Sequence, residues 1–224
     1  MKAVALGICP DATLLDITHD VPPHDVLTGA VELAAAFKYF PAGTIFVAVV
    51  DPGVGSPRRG IAVETADYKF VAPDNGVLTA VLREAPAKKM VELTERRYAR
   101  PTVSRTFEGR DRFAPAAAWL AKGIQLSALG RPVAEIQRIE IPVPEVSADE
   151  IAGVVLRVDR FGNLVTNIDR KTIERLVATY AELPADGVGA LFGSTDHLEL
   201  AAPSSSAADR LALARGATIK ITRR

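Results

Sequence analysis

The chain has 224 residues, room for one large domain or two smaller ones, and its 48% hydrophobic and 24% charged content is that of a globular rather than a disordered protein. Its 27 basic and 27 acidic residues cancel, so no basic excess invites nucleic acid and no acidic tail points to a basic partner. Cys9 is the only cysteine, which excludes an internal disulfide and a thiolate metal cage, and no apolar run approaches the length of a membrane span.

A cytoplasmic setting is expected from the single cysteine and from an N-terminus without a basic-then-apolar leader pattern. In chain order, the first stretch to read as a strand is Leu14-Leu15-Asp16-Ile17-Thr18. Asp25 then offers a side-chain cap for a helix whose apolar residues Val26, Leu27, Ala30, Leu33, Ala34 and Phe37 recur at helical spacing. Pro41 and Gly43 stop it. Thr44-Ile45-Phe46-Val47-Ala48-Val49-Val50 is apolar on both alternate faces, the pattern of a strand in the middle of a parallel sheet covered by helices. Strands near Gly60–Glu64, Lys69–Ala72 and Met90–Leu93 follow, with helices near Val77–Arg83 and from Asp111 to Lys122. The alternation predicts a three-layer α/β domain over residues 1–143 with a mostly parallel sheet.

Pro142 to Ser147 reads as a connector. Beyond it the rhythm changes to short strands at Gly153–Val158, Leu164–Thr166, Val188–Phe192, His197–Leu200 and Ala217–Thr222, with helical pattern only at Lys171–Thr179 and Ala207–Ala214. Residues 150–224 are therefore expected to form a small β-barrel domain.

Four polar segments carry the candidate chemistry. Val50-Asp51-Pro52-Gly53-Val54-Gly55-Ser56-Pro57-Arg58-Arg59 follows the strongest strand, where open α/β sheets bind ligands, and its glycines let the backbone bend so that Asp51 and an arginine share a small volume. The alternative is a tight turn with an exposed ion pair; a P-loop is excluded, because no Gly-Lys-Ser/Thr follows. Pro73-Asp74-Asn75-Gly76 is a strong turn signal that could also simply cap the next helix. Ser104 to Phe113 gathers polar residues before an apolar helix, as an anion site or as a helix cap with surface arginines. Asp159-Arg160-Phe161-Gly162-Asn163 between two strands is either a hairpin with an aromatic plug or a carboxylate and an amide presented to a ligand.

Taken together, these segments resemble the S-adenosylmethionine hydroxide adenosyltransferase family, relatives of the S-adenosylmethionine-dependent chlorinase and fluorinase. Gly7-Ile8-Cys9-Pro10-Asp11-Ala12, Asp16-Ile17-Thr18-His19, Asp51-Pro52-Gly53-Val54-Gly55, Pro73-Asp74-Asn75-Gly76, Gly109-Arg110-Asp111, Phe113-Ala114-Pro115 and Asp159 to Asn163 carry the resemblance. It implies an N-terminal α/β domain, a C-terminal β-barrel and a homotrimer that holds its nucleoside substrate between neighbouring subunits, with no cofactor or metal. It also implies a reaction, in which water or hydroxide attacks the ribose 5′ carbon, methionine leaves and adenosine forms. Asp51 and Arg58 match the catalytic aspartate and arginine. The related halogenases lack this aspartate, so Asp51 points to water rather than halide. The resemblance further implies Asp159 for the methionine ammonium, Asn163 and Phe161 for adenine, Ser194 for the methionine carboxylate, and His24 and Asn75 beside the ligand.

The chain departs from the family pattern in two places. Glu108 stands where the family has a third catalytic residue, a histidine. A glutamate can serve as a base but cannot donate from a neutral ring nitrogen, and its charge beside Asp51 calls for compensation by Arg58 or Arg110. Members also open with a strand and a Thr-Asp-Phe-Gly segment whose aspartate grips the ribose, whereas this sequence opens within the helix expected to follow. Both departures keep open a protein that binds the ligand without cleaving it.

Overall fold

The computed structural model describes residues 1–147, 150–172 and 187–222, and its contacts divide the chain into two compact units, Met1–Glu140 and Ile141–Arg224. In the first unit come α1 (Lys2–Ile8), α2 (Val26–Ala36), β1 (Ile45–Val47), β2 (Gly60–Glu64), β3 (Lys69–Pro73), α3 (Thr79–Glu84), β4 (Lys89–Leu93), α4 (Ala114–Ala121) and β5 (Gly130–Pro132). The five strands lie in the order β1-β3-β2-β4-β5.

Alternate burial along the strands creates three layers. Ile61, Val63, Phe46, Phe70 and Ala72 face a core with Leu33 and Phe37 of the α2 region and Val81 and Leu82 of α3. Ala62, Val71, Val91 and Leu93, one step out of phase, face a second core with Phe113 and with Ala116, Ala117 and Leu120 of α4. Asp25 caps α2 as expected, accepting from the Thr28 N–H at 3.0 Å.

The sheet is mixed, not mostly parallel. Only β1 and β3 run parallel; β2–β3, β2–β4 and β4–β5 are antiparallel. The reason lies in residues 65–68, where Thr65 N–H bonds to the Tyr68 carbonyl at 2.9 Å and turns β2 directly into β3. A connection this short reverses the chain, whereas a parallel crossover needs a dozen residues or more. The expected strand at residues 14–18 is irregular, with Leu15 71% exposed, and it pairs with no strand; the apolar strand expected in the middle of the sheet, β1, stands at its edge.

The second unit holds β6 (Glu145–Val146), β7 (Glu150–Val158), β8 (Leu164–Asp169), β9 (Gly189–Phe192), β10 (His197–Ala201), α5 (Ala207–Leu211) and β11 (Thr218–Thr222). All its pairings are antiparallel, along the path β11-β7-β8-β10-β9 with β6 on β7. Among the described residues this path is open rather than a closed barrel, because its end strands β9 and β11 do not pair with each other. Register shifts within β7–β8 and β8–β10 bend it. The helix expected at residues 171–179 lies outside the described residues beyond Thr172. Among the described residues no helix is long and apolar enough to cross a membrane.

Candidate active site

The bend after β1 brings Asp51 and Arg58 together. Gly55 sits at φ +81°, in the left-handed region, and a Cβ there would stand 3.1 Å from the Arg105 carbonyl oxygen, so glycine is required where the bend meets the segment leading to residue 108. Arg58 Nε donates to Asp51 Oδ1 at 2.9 Å, and Arg58 Nη2 donates both to Asp51 Oδ2 and to Glu108 Oε2. Arg58 Nη1 reaches the Arg59 carbonyl at 3.2 Å, and the guanidinium carbon lies 5.3 Å from the centre of the buried Phe113 ring. Thus Asp51, Arg58 and Glu108, the three expected catalytic residues, meet with side chains only 5%, 9% and 12% exposed.

Glu108 is held from both sides. Its Oε1 accepts from Arg112 Nη1 at 2.6 Å, while Arg112 Nη2 donates to the Leu93 carbonyl at the end of β4 at 2.7 Å. A π-helical turn over Gly109–Phe113 leads into α4 and sets this geometry. Glu108 and Arg112 also line a cavity of about 420 Å³ whose wall includes Thr94, Tyr98, Val103 and Leu129.

Neighbouring contacts brace the cluster. Asn75 Nδ2 donates to the Val50 carbonyl at 2.8 Å and its Oδ1 accepts from Val77 N–H, so this side chain ties the turn after β3 to the start of the glycine bend. Asp74, buried, takes two bonds from Arg59 and one from the Gln137 N–H at 2.7 Å. Asp111, wholly buried, accepts from Arg110, Arg100 and the Ser104 N–H. Arg110 above all, then the Ser104 N–H and Arg100, hold the Asp111 carboxyl well below the usual carboxylate range, against the opposing effect of burial.

In the second unit, the β7–β8 turn folds around Asp159. Its Oδ1 accepts from the Phe161 and Asn163 N–H groups at 2.8 and 2.9 Å, and its Oδ2 accepts from Asn163 Nδ2 at 2.9 Å. Gly162, at φ +83°, closes the turn and its carbonyl accepts from Ala208 N–H at the start of α5. Phe161 is 66% exposed, so it does not plug a barrel; the Arg160 guanidinium lies 5.0 Å from its ring. Ser194 is exposed in the turn between β9 and β10. His24, exposed at φ 68°, sits just ahead of the α2 cap.

Residues 1–130 match the family description "SAM hydroxide adenosyltransferase N-terminal domain", and residues 153–220 match "SAM hydroxide adenosyltransferase C-terminal domain". The chain belongs to this family. Among its curated relatives is the (R)-S-adenosyl-L-methionine hydrolase of Salinispora tropica, 37% identical across 98% of this chain and 90% of the relative. The enzyme of the same name from Thermus thermophilus is 34% identical across 99% and 92%. A fluorinase from Nocardia brasiliensis is 31% identical across 96% and 84%. The crystal structure of an uncharacterized conserved protein from Thermotoga maritima superimposes with a TM-score of 0.93 at 33% identity, covering 99% of this chain and 93% of that one.

For a family member, one feature of the site escaped the sequence pattern. Arg110, named as a compensating cation for Glu108, turns instead to Asp111, and Arg112 takes the role. The signal was present: a glutamate four residues ahead of an arginine at a helix entry is a favourable pair. The Arg59–Asp74 pair left no comparable signal, because its partners flank different strands, fifteen residues apart.

Proposed function

We propose that this protein hydrolyses S-adenosyl-L-methionine to adenosine and L-methionine. The observation that carries the reading is the contact of Asp51 with Arg58, buried together at the glycine bend beside Glu108. The names of the full-length relatives support the same chemistry.

Water attacks the ribose 5′ carbon; the bond from that carbon to sulfur breaks, and its electron pair leaves with sulfur as the neutral thioether of methionine. One proton of the water goes to the carboxylate of Asp51, whose oxygens keep free lone pairs beside the two Arg58 bonds. The guanidinium orients that carboxylate and favours developing hydroxide. Asp159 receives the methionine ammonium, Asn163 and Phe161 the adenine, and Ser194 the methionine carboxylate, with His24 at the ribose edge. Asn75 acts at one remove, by holding Val50 at the start of the bend. No cofactor or metal takes part, and the reaction belongs to the cytoplasm. The active assembly is a homotrimer; exposed Val49, Val54, Val103 and Phe107 favour a covering partner. The bends in the second unit favour a barrel-like wall.

Incubation in ¹⁸O-labelled water tests the reaction. Adenosine carrying ¹⁸O at the 5′ oxygen is expected, and its absence, or a 5′-halo nucleoside when chloride is supplied, overturns the reading. A second reading, binding without turnover, is favoured by the engagement of both Glu108 oxygens by guanidinium groups. Calorimetry that shows binding while no adenosine appears selects it.

A further inference from the structure

We propose that Arg112 is a positioning residue for this hydrolysis, acting through Glu108; the inference rests on the function proposed above. Two carboxylates converge on one nitrogen, Arg58 Nη2. A single guanidinium facing Asp51 and Glu108 would leave the group with one excess negative charge in a place where neither carboxylate is freely hydrated. Arg112 removes that excess. It takes Glu108 Oε1 and leaves Oε2 on Arg58, and its own second nitrogen is fixed to the Leu93 carbonyl, so the chain Asp51–Arg58–Glu108–Arg112 is neutral and anchored on β4.

The anchoring has a consequence for Asp51. Arg58 can release Asp51 by swinging toward an unrestrained Glu108, and Arg112 blocks this by holding Glu108 in place. With Arg112 present, Arg58 keeps two bonds to Asp51 and one to Glu108. Arg112 itself touches neither Asp51 nor Arg58 by any hydrogen bond among the described residues, so the contacts that link it to them run through Glu108. Other charged or titratable groups on the cavity beside Glu108 are Glu92, Glu95, Arg96, Arg131 and Tyr98, none of which bonds to Glu108 among the described residues.

The test measures adenosine release by wild type, Arg112→Met, Arg112→Lys, Glu108→Gln and the double variant Glu108→Gln/Arg112→Met across pH. Arg112→Met is expected to lower kcat about tenfold with KM within about twofold, since the reacting groups rather than the ligand contacts are disturbed. The acid limb of its kcat/KM profile should move up by about one pH unit, because a cation beside the carboxylates is gone. Arg112→Lys, which keeps the charge, should hold the limb near its wild-type position. In the Glu108→Gln background, where the excess charge is absent, adding Arg112→Met should change kcat less than about twofold. A role in folding alone would lower the melting temperature without moving the limb. The inference is overturned if Arg112→Met keeps wild-type kcat and pH profile, or if its loss is undiminished beside Glu108→Gln. If Arg112→Met fails to fold, the pair Arg112→Lys and Glu108→Gln decides on the same pH readout. Failure of wild type to release adenosine overturns the function itself, and is seen before any variant is compared.

Discussion

Asp51 in the first unit and Asp159 in the second are both carboxylates at turns after strands, yet they are held in opposite ways. Asp51 is gripped by the side chain of Arg58, which also binds Glu108, a residue fifty positions further along the chain. Asp159 is gripped by two backbone N–H groups and one amide within four residues of itself. The first arrangement is a balance of opposite charges brought from separate elements, and removing one member leaves the others uncompensated in a poorly hydrated place. The second is a local turn whose donors are mostly backbone. Charge balance across separate elements holds Asp51, and a self-contained turn holds Asp159.

The sharpest way to break the comparison is Asp51→Ala. It should reduce kcat at least about a thousandfold, the scale of a lost general base, while calorimetry still shows ligand binding. Retained turnover would mean that the buried pair is structural. Asp159→Ala should act on the other side of the divide, raising KM about tenfold with kcat little changed, as expected for a lost charge-assisted contact worth about 1.5 kcal/mol. A fall in kcat with KM unchanged would erase the contrast.

Asp111 extends the comparison to stability, since it too is a buried carboxylate held by arginines. Asp111→Asn should lower unfolding free energy by about 2 kcal/mol at neutral pH, read from urea titrations. Because the folded-state carboxyl is held below its ordinary value, its stabilisation is complete above the unfolded value of about 3.9 and is lost as pH falls below it. Wild type should therefore lose more stability between pH 5 and pH 3 than Asp111→Asn does; parallel curves would remove Asp111 from the acid response. The smallest effect is expected from Phe161→Ala. Its exposed ring should cost under about 0.5 kcal/mol of stability, while a lost base stack of about 1 kcal/mol should weaken ligand binding about fivefold.

Several features were legible in the sequence because their causes are local. The Asp25 cap needs only Thr28, three residues on, and the apolar run expected as a strand over residues 44–50 forms one over Ile45–Val47. The Asp159–Asn163 turn is closed within its own length. Even the Glu108–Arg112 pair has helical spacing, although its meaning depends on Arg58. Strand direction was not legible from apolar pattern alone, because residues 65–68 reverse the chain where a covered parallel sheet had been expected. The segment at residues 14–18 reads as a strand by propensity but forms none, because propensity alone does not supply pairing.

By itself the sequence determined which segments bend, which bury an apolar face and which residues carry the family's motifs, since these follow from spacings of a few residues and from the conformational limits of glycine, proline and capping side chains. Only the tertiary structure decided that Arg58 would serve two carboxylates, that Arg112 rather than Arg110 would balance Glu108, and that the first sheet would be mixed. Those outcomes depend on which elements are brought side by side, and the energy of a charge pair is set by distance and hydration in space, not by separation along the chain.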